Sequence, residues 1–226
     1  MAKILSDAEK NNSSQMNARK VESSICNAGG VRVVFIGNSI TLHAPAPNIG
    51  WHHNWGMAAS AEENDYVHIV IREIEKRTGR KADVRVRNLA QFERRFQEYD
   101  YSQNQDLFDF KPEYLIVALG ENVAELETME EKFAYRDAFH KLLNGFMSNE
   151  PAPTALVRGV FWKNEWKDQM MKETADAYGI PFVKGDFADD DSMKALGLFE
   201  YEGVQAHPGD KGMAAIAQVV VDTLFK

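Results

Sequence analysis

Residues 31–36 read Val-Arg-Val-Val-Phe-Ile, a short, β-branched run that is almost wholly apolar. A strand with one face in water alternates apolar and polar positions. A nearly unbroken run therefore belongs to a strand covered on both faces, as in a parallel sheet. Further strand candidates lie at 84–89, 114–119 (introduced by Lys111-Pro112), 155–162 and 180–183. Between them the period changes. Tyr66, Ile69, Val70, Glu73, Ile74 and Arg77 follow helical spacing up to a stop at Gly79. Val123, Leu126, Met129, Phe133, Phe139, Leu142, Leu143 and Phe146 line one side of a long helix. Asn164 is placed to cap a helix through Tyr178, closed by Gly179, and a last amphipathic helix covers 212–225. Strands alternating with helices imply a parallel sheet covered on both sides. With no internal repeat and no linker, 31–226 reads as one α/β domain. Residues 1–30, rich in Asn, Ser, Lys and Glu, read as a partly helical lead-in ending in a turn at Ala28-Gly29-Gly30.

Charge and cysteine content narrow the partners. Lys plus Arg is 26 against 34 Asp plus Glu, a net charge of −8 without a long basic run. That balance argues against nucleic acid or an anionic membrane as partner. Cys26 is the only cysteine, which excludes an internal disulfide and a cysteine zinc cluster. No stretch approaches the roughly 20 apolar residues of a membrane span. The polar start of the chain lacks the apolar core of a signal peptide, so the expected location is the cytoplasm.

Three short motifs carry chemistry. The first strand runs into Gly37-Asn38-Ser39-Ile40-Thr41, which puts Ser39 at the carboxyl end of a buried strand, where open α/β sheets bind ligands. The bland alternative is a serine that only caps the next segment. The third strand ends in Gly120-Glu121-Asn122. Asn122 offers an amide donor for a developing oxyanion, or else a cap for the long helix that follows. In a strand order 2-1-3-4-5 the first and third strands are neighbours, and Ser39 and Asn122 share one crevice. His207-Pro208-Gly209-Asp210 precedes the last helix. A neutral imidazole is the usual base for a serine hydroxyl, although a lone loop histidine is more often a surface residue.

These three motifs, in this order, resemble blocks I, III and V of the SGNH (GDSL-type) hydrolase superfamily, over the stretch from Val31 to Lys226. The resemblance implies a flavodoxin-like three-layer α/β/α fold with a sheet of about five strands. It also implies serine esterase activity without a metal or other cofactor. Ser39 then looks like the nucleophile, His207 the general base, and Asn122, the Ser39 backbone N–H and the backbone N–H at Glu93 the oxyanion donors. Asn38 stands where aspartate is more usual. In Asn88-Leu89-Ala90-Gln91-Phe92-Glu93, Glu93 occupies the position of the family's block II glycine. The aspartate normally three residues before the histidine is replaced by Val204. Either Glu202 takes over its role or a backbone carbonyl or another polar group holds His207, and the displaced position of Glu202 favours the latter.

His43, Pro45, Pro47, Trp51, His52, His53 and Trp55 form an aromatic loop after the nucleophile. Trp51 and Trp55 are candidates for a sugar-binding pocket, or for packing the loop down, and Trp162 and Trp166 carry the same ambiguity. The three histidines have no carboxylate at ligand spacing, so no metal site is expected. The expected function is hydrolysis of a small-molecule or carbohydrate ester with a short acyl group such as acetyl, through an acyl-enzyme on Ser39. The rival is a binding protein that kept the fold while its chemistry eroded.

Overall fold

A computed structural model describes residues 21–226. One mixed sheet contains β1 (Val21–Ile25), β2 (Val31–Gly37), β3 (Ala82–Asn88), β4 (Tyr114–Ala118), β5 (Thr154–Arg158) and β6 (Phe182–Val183). Their spatial order is β1-β3-β2-β4-β5-β6. The five strands expected from the sequence are parallel and in the expected order. The sixth, β1, lies antiparallel against β3 in a segment read as part of a helical lead-in. Val-Glu-Ser-Ser-Ile carries no buried apolar run because an edge strand pairs along one side only. Glu22 on β1 meets Arg87 on β3 at 2.6 Å, which ties the edge down. Residues 1–20 of the lead-in lie outside the described residues, and the expected turn is present, with Gly29 at φ 79°.

Seven helices accompany the sheet among the described residues: α1 (Tyr66–Thr78), α2 (Ala90–Arg94), α3 (Gln105–Asp109), α4 (Met129–Met147), α5 (Glu165–Ala177), α6 (Glu202–Gln205) and α7 (Asp210–Leu224). Burial on both faces of β2 is direct. Val33 and Phe35 join a core with Val70, Ile74, Ile216 and Val220 from α1 and α7. Val34 and Ile36 join another with Phe139, Leu142, Met170 and Met171 from α4 and α5. The domain is a three-layer α/β/α sandwich. Helix boundaries follow their caps. The Asp65 side chain accepts from His68 N–H at the start of α1, and Gly79 closes it at φ 66°. α4 starts at Met129 and not near Val123, because Thr128 and Glu131 form a reciprocal capping box. Val123 and Leu126 are buried in the preceding loop.

The register aligns the strand ends. Gly37 of β2 sits opposite both Asn88 of β3 and Ala118 of β4, so the chain leaves three adjacent strands at one level. A third, small core joins the loops beyond this edge, where Ala46, Ile49, Trp51, Met57 and Ala58 pack with Ala195 and Val204. That packing clamps the loop after β2 to the loop that carries His207.

Candidate active site

Ser39 leaves β2 through a turn that only glycine at 37 permits: a Cβ there would fall 1.9 Å from Thr41 Oγ1. Thr41 and Leu42 both donate N–H to the Asn38 carbonyl, and Met57 N–H donates to the Ser39 carbonyl at 2.8 Å. His207 arrives from a loop pinned on both sides: its N–H donates to the Val204 carbonyl, and its own carbonyl accepts from Ala195 N–H. The two side chains, 168 residues apart in sequence, meet with Ser39 Oγ 2.8 Å from His207 Nε2. Nδ1 of the same ring lies 2.7 Å from the Gly203 carbonyl oxygen. A carbonyl only accepts, so Nδ1 carries the hydrogen and Nε2 turns a lone pair to the serine. This is the tautomer a general base requires. Burial pushes His207 down to about 4, against the Gly203 hydrogen bond and the Glu121 charge, which both raise it. Glu202 is exposed at the start of α6, and Val204 is buried in the third core. The imidazole is thus oriented by a backbone carbonyl.

The opposite wall is a polar network at the ends of β3, β4 and β5. Asn122 Nδ2 donates to Glu93 Oε2 at 2.6 Å, and Asn122 Oδ1 accepts from Arg94 Nη2 at 2.6 Å. Asn122 is no helix cap, since Thr128 fills that role. Asn38 Nδ2 donates to Glu93 Oε1 at 2.9 Å and to Glu121 Oε2 at 2.6 Å. Glu121 also pairs with the fully buried Arg158 at 2.7 Å. Burial and, next, the Glu121 charge push Glu93 up to about 7. The expectation for the Glu93 backbone needs correction. Its N–H donates to the Leu89 carbonyl at 3.2 Å, because the chain turns from β3 straight into the single turn of α2. The Glu93 side chain, not its N–H, reaches the site.

The pocket residues also need correction. Trp51 is 0% exposed and packs against His53, Trp55 and Phe199, so it is core of the loop and not a sugar platform. Trp55 is half-buried, stacked on His53 at 4.1 Å, with Nε1 donating to the Ala59 carbonyl. Trp162 is the tryptophan whose ring meets the histidine, edge to face at 5.3 Å. Trp166 is exposed on α5 beneath the Lys132 ammonium. His43 is buried, with Nδ1 donating to the Ala44 carbonyl at 2.6 Å and Nε2 without a hydrogen-bond partner. Burial above all, with smaller contributions from His207 and Arg94, lowers it to about 4 against the Ala44 hydrogen bond, which raises it. Among the described residues no group of three or more His, Cys, Asp or Glu could hold a metal ion. No described helix is long and apolar enough to cross a membrane.

Solved structures share this architecture at low sequence identity. One is LAE5, an α/β hydrolase from the metagenome of Lake Arreo, Spain: TM-score 0.54, 19% identity, 86% of this chain and 95% of that one. Others are catalytic mutants of Axe2, an acetylxylan esterase from Geobacillus stearothermophilus. Its serine-to-alanine form matches with TM-score 0.52 at 16% identity, over 90% of this chain and 97% of that one. Its aspartate-to-alanine form matches with TM-score 0.55 over the same shares and at the same identity. No family model matches this chain, and no curated protein matches it. The fold is one that esterases use.

The sequence puts a carboxylate at 93 beside the site and leaves Trp162 between pocket and packing; it does not give the hydrogen bonds of Glu93, the contact of Trp162 with His207 or the buried acceptor on His43. For Glu93 a signal was present: an acidic residue between Phe92 and Arg94 in a turn after a buried strand. Nothing local separates Trp162 from Trp166, since the place of Trp162 beside His207 depends on a residue 45 positions further along the chain.

Proposed function

We propose that this chain is a serine esterase of the SGNH (GDSL-type) class, hydrolysing a short-chain carboxylic ester, with acetyl on a carbohydrate as the preferred substrate class. The observation that carries the reading is the 2.8 Å contact between Ser39 Oγ and a His207 Nε2 lone pair, in a ring locked by the Gly203 carbonyl. Support for acetyl and carbohydrate comes from the fold shared with an acetylxylan esterase. In the reaction, His207 Nε2 takes the hydroxyl proton as Ser39 Oγ attacks the ester carbonyl carbon. Negative charge gathers on the former carbonyl oxygen, facing Asn122 Nδ2 and the Ser39 N–H. The intermediate collapses to an acyl-serine, and Nε2 returns the proton to the departing alcohol. Water, deprotonated by the same Nε2, then releases the acid and restores Ser39. Axe2 is known in aspartate-mutant form as well as serine-mutant form; here a backbone carbonyl stands in place of a carboxylate, and the site works as a dyad.

The test is covalent labelling with a fluorophosphonate alongside turnover of para-nitrophenyl acetate. Wild type labels at Ser39 and turns over, and Ser39→Ala does neither while keeping its fold. A wild-type chain that neither labels nor hydrolyses is the binding protein of the rival reading.

A further inference from the structure

In the family pattern a glycine occupies the position that here holds a fully buried carboxylate, Glu93. Its oxygens take donors from two neighbouring strand ends. Oε1 accepts from Gly120 N–H at 2.5 Å and from Asn38 Nδ2 at 2.9 Å, and Oε2 accepts from Asn122 Nδ2 at 2.6 Å. Asn38 immediately precedes the nucleophile at the end of β2, Gly120 and Asn122 follow β4, and Glu93 itself follows β3. One side chain therefore staples the three strand ends on which the reaction depends. The Asn122 amide is held at its other end too, by Arg94 Nη2 on Oδ1. An amide nitrogen carries two hydrogens. With one on Glu93 Oε2 and the oxygen on Arg94, the amide plane is set, and so is the direction of the second hydrogen.

The same contacts account for Asn38. An aspartate there would place a third carboxylate against Glu93 and Glu121, whereas the asparagine amide donates to both. Keeping Glu93 buried is costly, as its upward shift toward neutrality indicates. An apolar side chain would pack at less cost, so packing alone does not account for it.

We infer that Glu93 is a positioning residue for the oxyanion hole, holding the Asn122 amide through Oε2 so that its free N–H faces the charge that develops on the substrate. This inference rests on the esterase reading above. It predicts a loss that appears in kcat and not in KM, because the oxyanion exists only in the transition state. It also predicts that the loss depends on Asn122 being present.

The experiment is a double-mutant cycle on the full chain with para-nitrophenyl acetate, using wild type, Glu93→Gln, Asn122→Ala and the double variant. Gln keeps the shape of Glu93 but sets an N–H against one of its three donors. Asn122→Ala is expected to lower kcat by about 10²–10³-fold, and Glu93→Gln by about 10–100-fold with KM nearly unchanged. The double variant should be no slower than Asn122→Ala alone, because Glu93 acts through that amide. Losses that multiply, or a Glu93→Gln kcat equal to wild type, would overturn the role. Should Glu93→Gln not fold, Glu93→Asp serves in the same cycle: it keeps the charge, withdraws the oxygens by one methylene and must give the same dependence on Asn122. A wild type without turnover or Ser39 labelling would defeat the esterase reading itself, whereas an active wild type with multiplying losses defeats only the role of Glu93.

Discussion

Lowering the pH from about 8 to about 3.5 titrates the base on which the proposed reaction depends. In a site where a carboxylate faces the imidazole, the charged form of histidine is favoured and the acid limb of the profile lies near or above the ordinary value of 6.5. Here Nδ1 meets the neutral Gly203 carbonyl, the ring is buried, and His207 sits at about 4. Glu93, at about 7, titrates on the same descent, and its proton opposes the donors that Glu93→Gln also opposes, so wild-type kcat falls by about 10–100-fold around pH 7. In Asn122→Ala, where Glu93 has no amide to hold, kcat/KM is expected to stay flat down to about pH 5, fall to half near pH 4, and drop roughly tenfold per pH unit below that. Stability has to be followed in the same window. The unfolded chain takes up protons on His43 and His207 near 6.5, and the folded chain does so only near 4, so stability is lost as pH falls between these values. At about 1.4 kcal/mol per pKa unit, each histidine costs on the order of 3 kcal/mol once the pH is below both values. Glu93 works the other way. Its folded-state value of about 7 against 4.5 means that stability is gained as pH falls through that interval, by a similar amount. Across these three groups the net loss is that of one histidine, which a domain of this size withstands. The assay is initial rates taken within seconds of a pH jump, with a return to neutral pH to verify recovery. A reversible acid limb centred between about 6 and 7 in Asn122→Ala would refute the carbonyl-held dyad and restore a charged partner for His207.

Glu202→Gln should change turnover on para-nitrophenyl acetate by less than about tenfold, since no charge partner of the imidazolium is lost. A fall near the roughly 10⁴ that amidation of a triad carboxylate costs would make Glu202 the third catalytic member. Trp51→Ala should lower unfolding stability by about 3–5 kcal/mol in denaturant titration, because a fully buried indole leaves a cavity between two loops. If that variant is as stable as wild type but has a raised KM for an acetylated sugar, Trp51 contacts substrate after all.

The strands and the positions of Ser39 and Asn122 at their ends were legible in the sequence for one physical reason, whereas the strand order and the place of His207 came from the family resemblance. A strand buried on both faces must be apolar at nearly every position, as in 31–36, and the polar residues that follow such a run sit at the carboxyl edge of a parallel sheet. Caps were legible for the same local reason: the side chain of Asn164 accepts from Lys167 N–H three residues on. β1 was not legible, because its polar residues pair along one edge only and its register comes from β3, more than 60 residues away. Trp51 and Trp162 look alike in sequence, yet one is loop core and the other lies against His207, and that difference arises only when loops from separate strands close on each other. Glu93 is the sharpest case. Its carboxylate reaches partners 55, 27 and 29 residues away, so its orientation and its raised proton affinity exist only once β2, β3 and β4 end at the same level. The same holds for the choice between Glu202 and a carbonyl. Four residues separate Gly203 from His207, but the turn of α6 aims the Gly203 oxygen at Nδ1 and leaves the Glu202 carboxylate in water.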